Sequence, residues 1–220
     1  MNVVVLNKCR VAILLAVWVI ATPFQLSAAV NTAADEPLQA VQIYTQDELN
    51  DLIKQNKHLE RVKADRCQLT RDIEDRAVKL HLPAYEFLYG DMLAWGVCVD
   101  RDAELGMYYI QQAASQGLVA AIEQLGRYYH IGKFVQKNEE KAYTFIFRAA
   151  ELGNLKAQLR LVDMQLAGLG SPYDFEPAYR WLHHAIIADE KLHKQAESKL
   201  HELAKLMHPN VVKSARRSPH

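Results

Sequence analysis

Apolar residues fall into one short N-terminal block and then into stripes of helical spacing along this 220-residue chain. The block, Val11 to Ala21, carries no charge. Lys8 and Arg10 precede it, and Pro23, Ser27, Ala28 and Ala29 follow. At ~1.5 Å per residue it reaches about half of a ~30 Å hydrocarbon core. The layout therefore predicts an export signal over 1–29, removed after Ala29, with Ala28 or Ala34 as alternative cleavage sites. Residues 30–44 are small, polar and weakly patterned, and read as an extended arm. Thr45 and Glu48 have capping-box spacing and open a helix through Leu49, Leu52 and Ile53. A charged stretch follows, within which Leu69, Ile73, Ala77 and Leu80 recur at helical spacing. The acid-before-base pairs Asp72–Arg76 and Asp75–Lys79 support a helix over about 67–80.

From Leu82 the pattern repeats. A shift of 36 residues takes Gly90 onto Gly126, Gly96 onto Gly132, Glu104 onto Glu140 and Ala113–Ala114 onto Ala149–Ala150. A second shift takes Leu125 onto Leu161, Gly132 onto Gly168, Ala142–Tyr143 onto Ala178–Tyr179 and Phe145 onto Trp181. Three units result: 82–117, 118–153 and 154–189. Each reads as a helix pair, with A helices over about 82–94, 118–131 and 154–168 and B helices over about 101–115, 138–151 and 174–188. Gly96, Gly132 and Gly168 sit where a left-handed residue closes an A helix. Asp100 or Asp102, Asn138 and Asp174 sit near the starts of the B helices. One such pair cannot cover its own apolar stripe, so the units must stack. Leu192, Ala196, Leu200, Leu203 and Met207 predict a capping helix within 190–208, and 209–220 reads as a frayed basic tail. The region 30–81 is then an N-terminal arm with helices, and the fold class is all-α.

Composition narrows the possibilities. Half the chain is hydrophobic and 24% is charged, which fits a folded body and excludes a disordered or collagenous one. Twenty-six basic residues balance twenty-six acidic ones, so the whole-chain charge that nucleic acid would require is missing. After signal removal two cysteines remain, Cys67 and Cys98. In an oxidising compartment such a pair is expected to close, the alternative being two buried thiols. No C-x-x-C spacing points to redox catalysis, and no clustered ligand set points to zinc. The His183–His184 doublet lies on a helix, where neighbours point about 100° apart. His193 and His201 come with no metal signature, and neither G-x-S-x-G nor H-E-x-x-H occurs. The residues thus predict no catalytic, metal or cofactor site. The alternative of a hydrolase acting on the cell wall lacks a nucleophile with its base or a carboxylate pair. Sodium conduction by this chain lacks a spanning segment after signal removal.

An adaptor remains, in which A helices line a surface for partner segments. Its candidate exposed residues are Glu86, Tyr89, Asp91, Glu123, Arg127, Tyr128, Arg160 and Asp163, with Ile43 and Tyr44 at the end of the arm. Packing between repeats is the competing reading for the tyrosines, and ordinary solvation for the charges.

The segment Ala121–Tyr129, followed by Gly132, Lys141–Tyr143 and Arg148–Asn154, resembles the Sel-like repeat family, relatives of the tetratricopeptide repeats. That resemblance implies a right-handed α-solenoid. Val162 and Asp189 depart from it in the third unit, each standing where the family pattern has glycine. Residues 83–98, with 43–45, 55–59, 62–69, 170–172, 178–182 and 188–189, further resemble a family of sodium-driven polar flagellar motor proteins. This second resemblance implies a periplasmic, non-enzymatic scaffold of the basal body. It implies a T ring formed with MotY, retention of PomA–PomB stator units, and a MotY contact that we assign to the arm and first helices, 30–66.

Overall fold

The computed structural model describes residues 43–217, and all regular structure among them is helical. The expected export signal and most of the expected arm lie outside the described residues. α1 (Gln46–Lys54) starts where Thr45 Oγ1 accepts from the Glu48 amide, and it buries Leu49 and Ile53. Asn56 turns the chain at a φ of 60°, and α2 (His58–Ala64) follows, burying His58 and Val62. The sequence pattern does not separate this helix from the charged stretch around it. α3 (Thr70–Val78) buries Ile73 and Ala77 and carries the Asp75–Lys79 ion pair at 2.7 Å. Arg76 lies over the Tyr85 ring at 5.3 Å. Leu80 departs from the expected apolar face and is 60% exposed, because α3 ends at Val78 and His81 turns left-handed.

The helix pairs are α4 (Pro83–Trp95) with α5 (Ala103–Ser115), α6 (Val119–Ile131) with α7 (Glu139–Glu151), and α8 (Leu155–Leu166) with α9 (Phe175–His183). Gly96 and Gly132 are left-handed caps of α4 and α6, at φ 68° and 70°. Asp102 and Asn138 cap α5 and α7 by accepting from the Leu105 and Lys141 amides. The third pair differs from expectation. Asp174 does not cap α9 through its side chain. It accepts from Tyr143 Oη (2.9 Å) and the Ser171 amide (3.3 Å), closing a 3-10 turn over Pro172–Asp174. α9 stops at His183, five residues before the expected end, and the chain runs non-helical to Asp189. Asp189 then caps α10 (Glu190–Lys205), whose Ala196, Leu200 and Leu203 cover the α8–α9 pair. Residues 209–217 are not frayed. They form α11 (Pro209–Arg217), which packs on α9 and buries Ala215.

Two contiguous apolar clusters result among the described residues. One runs from Tyr44 to Tyr128 and the other from Ile122 to Ala215, so the second repeat belongs to both. A close backbone approach sets the geometry of the first repeat. A Cβ built on Gly106 would lie 2.6 Å from the Gly90 carbonyl oxygen, and one built on Gly90 would lie 2.7 Å from the Gly106 carbonyl oxygen. Val162, the counterpart of Gly90 two repeats on, is fully buried, and α8 and α9 touch less extensively than α4 and α5.

Gly106→Ala is expected to cost about 1–3 kcal/mol, because the overpacking exceeds the helix-propensity gain of at most ~1 kcal/mol. Urea unfolding of the purified variant measures this. An unchanged midpoint would show that α4 and α5 do not approach this closely.

Candidate interaction surface

α4 is the residue-level centre of the site. Eleven of its thirteen residues are buried, including Glu86 and Asp91 at 1% and 2% exposure. A carboxylate taken out of water needs partners, since an isolated buried charge costs several kcal/mol. Asp91 finds them on two other elements. His58 Nε2 on α2 lies 2.8 Å from its Oδ2. On α6, Tyr128 Oη donates to Oδ1 at 3.3 Å, and Gln124 Nε2 stands 3.5 Å from the same oxygen. Gln124 also donates to Tyr128 Oη at 2.5 Å, Trp95 Nε1 donates to it at 3.1 Å, and Arg127 donates to Gln124 Oε1 at 2.6 Å. One carboxylate therefore joins the N-terminal helices to the first and second repeats. Glu86 is held similarly by Gln116 Nε2 (2.6 Å) and His81 Nδ1 (3.2 Å).

These positions correct the expectation of an exposed A-helix surface. Glu86, Tyr89 and Asp91 are buried because α1, α2 and α3 lie against α4 and cover its outward face. On α6, Glu123 is buried beside Arg160 of α8, and Tyr128 beside Asp91 and Trp95 of α4. Packing, the competing reading for the tyrosines, therefore holds for both Tyr89 and Tyr128. Tyr44 is buried as well. Its hydroxyl donates to Asp65 Oδ2 (2.7 Å), its carbonyl accepts from Tyr85 Oη, and Arg61 stacks over its ring while donating to Asp65 (2.8 Å). Tyr89 packs edge-on against Tyr109 at 5.2 Å. Ile43 is half-buried at the start of the described chain. Arg127, Arg160 and Asp163 keep solvent contact. Arg160 Nε is 3.7 Å from Glu123 Oε1, and Asp163 pairs with Lys199 of α10. Beside them a groove of about 530 Å³ opens between the C-terminal end of α1 and the starts of α6 and α8. Lys156 Nζ bridges it by donating to the Lys54 carbonyl at 2.9 Å.

Cys67 and Cys98 form a disulfide with a Cα separation of 5.4 Å. It ties the turn before α3 to the loop after α4, across 31 positions of sequence. Chain entropy assigns such a loop about 3–4 kcal/mol. Cys98, Phe134 and Gly170 stand at one position of the 36-residue register, and all three have positive φ (61°, 61° and 83°). The first unit uses that left-handed position for the cystine. The second uses it to set Phe134 edge-on against Trp95 and Tyr128.

Sequence reasoning missed His58, Gln116 and Gln124 as partners of the buried acids. A signal was present: α4 is apolar on every side, so any charge within it has to be enclosed and satisfied. Among the described residues no group of three or more His, Cys, Asp or Glu side chains is placed to hold a metal ion. No helix among them is long and apolar enough to cross a membrane.

Comparison with known proteins places this arrangement. The Sel1 repeat family matches residues 83–118, 119–154 and 155–187. The sodium-type polar flagellar protein MotX of Vibrio parahaemolyticus serotype O3:K6 (strain RIMD 2210633) is 50% identical over 191 residues, covering 87% of this chain and 90% of that protein. The chain belongs to the MotX family. A crystal structure of a Sel1 repeat protein from Oxalobacter formigenes is also similar, at 22% identity and a TM-score of 0.45, covering 69% of this chain and 52% of that one. In this MotX-family chain the region ahead of the repeats is part of the packed body, and the matched repeats begin one residue after Leu82.

Burial raises the pKa of several phenols. Tyr89 is pushed up to about 12 by burial, with Glu74 adding to the effect. Tyr128 is raised by burial and by Asp91, Tyr44 by burial and by its bond to Asp65, and Tyr143 chiefly by burial. In the unfolded chain these groups ionise near pH 10. Above that pH the unfolded state releases protons that the folded state retains, so stability is complete below about pH 10 and falls as pH rises through the folded values. The urea midpoint should therefore hold from pH 8 to about 10 and drop steeply by about 12, with Tyr89→Phe flattening the first part of the drop. A midpoint independent of pH over that window would contradict burial of these phenols.

Proposed function

We propose that the protein is a non-enzymatic, periplasmic scaffold of the sodium-driven polar flagellar motor. In this reading it is exported by its N-terminal signal, forms the T ring of the basal body with MotY, and holds PomA–PomB stator units in place so that the flagellum turns. The observation that carries it is the 50% identity to a sodium-type polar flagellar protein over most of both chains. Stacked helix pairs suit the role, because solenoids present long rigid surfaces to partners.

The burial of the α4 face redirects the search for contacts. Partners meet the arm that leads into Ile43, and the accessible flank formed by Arg127, Arg160 and Asp163. We assign MotY to the arm. Tyr44 belongs to the core, so the informative truncation removes residues 30–42 and keeps Ile43 and Tyr44.

Cells lacking the chain are expected to assemble flagellar filaments that do not rotate, and a plasmid copy should restore swimming. Fully motile deletion cells would refute the motor role. In the same strain, the 30–42 truncation should accumulate normally and fail to co-purify with MotY. Undiminished co-purification would remove the arm assignment while leaving the motor role standing.

A further inference from the structure

The end of the molecule distant in sequence from the arm carries a second feature. Pro209, Val212, Lys213, Arg216 and Arg217 of α11 fall on one stripe of the helix and, with Ala204 of α10, line a shallow pocket of about 500 Å³. Its lining combines the apolar Ala204, Pro209 and Val212 with three cations. No acidic residue lines it, and none follows Glu202 in the sequence. The basic residues just upstream are different: Lys199 pairs with Asp163, and Lys205 with Glu202 at 2.6 Å.

One of the three cations is held in place from inside the protein. Arg216 Nε donates at 2.7 Å to the hydroxyl of Tyr179, which is 1% exposed, and its guanidinium lies near the Tyr179 ring. His184 Nε2 is 3.1 Å from the Ala215 carbonyl and fixes the same turn of α11. Arg216 thus lines the pocket with its guanidinium tethered through Nε, which reduces the orientational freedom it has left to lose.

We propose that this pocket binds a phosphate group. A phosphate offers several oxygens in one compact anion, and arginine forks match that geometry. Carboxylates along an extended acidic peptide are spread at ~3.3 Å per residue, on alternating sides, and do not converge on one pocket. The apolar lining of Ala204, Pro209 and Val212 receives the carbon body that a phosphate ester carries. Two sources share this chemistry, a phospholipid headgroup and free phosphate. The inference stands independently of the motor reading.

The test uses the purified chain and its Lys213→Gln/Arg217→Gln variant. Both altered residues are exposed, and equal melting temperatures confirm that the variant folds. Co-sedimentation compares vesicles of phosphatidylcholine alone with vesicles that also contain phosphatidylglycerol. NMR titrations with inorganic phosphate and with poly-glutamate run in parallel. Binding only to phosphatidylglycerol vesicles, about 30-fold weaker in the variant, identifies a lipid headgroup as the source. Shifts of α11 amides with inorganic phosphate, lost in the variant, with no vesicle binding, identify free phosphate. Poly-glutamate binding as tight as either phosphate probe would overturn the proposal, as would no binding, or binding that the variant retains in full.

Discussion

A helix that is apolar on all sides can exist in water only if other elements surround it, and α4 is such a helix. Its thirteen residues include Phe87, Leu88, Met92 and Leu93, with almost no polar face to leave outside. Enclosure takes three forms. α5 approaches through the Gly90–Gly106 contact, α6 reaches α4 through the Tyr128 bonds to Asp91 and Trp95, and α1 to α3 close the remaining side. Transfer of each large apolar side chain out of water is worth about 1.5–3 kcal/mol, and this is the drive that draws the short N-terminal helices onto α4. The two acids inside α4 are tolerable only because they find partners there: His58 of the cover with Gln124 and Tyr128 of α6 for Asp91, and His81 with Gln116 for Glu86. Packing and polar satisfaction are the same event here.

The cystine follows from this arrangement. α2 and α3 have seven and nine residues, too short to hold helical form without tertiary contacts. Joining Cys67 to Cys98 limits how far they can stray from α4 in the unfolded ensemble. The repeat register had a left-handed position available at Cys98, so the bond needed no new turn. The consequence for function is a change of surface. The face that a bare stack of helix pairs would offer to partners is filled by the chain's own N-terminus, and the accessible features lie at its margins: the groove by Lys54 and Lys156, the flank by Arg127 and Asp163, and the basic stripe of α11.

Much of this was legible before any coordinates. The 36-residue register of glycine, alanine and aromatic residues marks the helix pairs, because small residues at fixed offsets permit close helix crossings. Asp102 and Asn138 are visible as caps because they combine cap chemistry with the position just before an apolar stripe. What escaped has physical causes. α2 is hidden among charges because its buried members, His58 and Val62, are two residues in seven. Asp174 fails as a side-chain cap of α9 because Tyr143 and the Ser171 amide occupy it, and nothing in the local sequence announces those partners. The buried acids were misread as surface residues, since repeat periodicity places a residue on a helix face and says nothing about what a segment outside the repeat lays across that face.

The central claim is that α1 to α3 and the first repeat unfold as one body. Native-state hydrogen exchange tests it most directly, read at the slowest amides of α1, α3, α4 and α5. In the oxidised protein these amides should exchange with one common opening free energy. Reduction of Cys67–Cys98 should lower that value for all four helices together, by about 3–4 kcal/mol. Fast, independent exchange of α1 and α3 in the oxidised protein, with α4 still protected, would contradict the account.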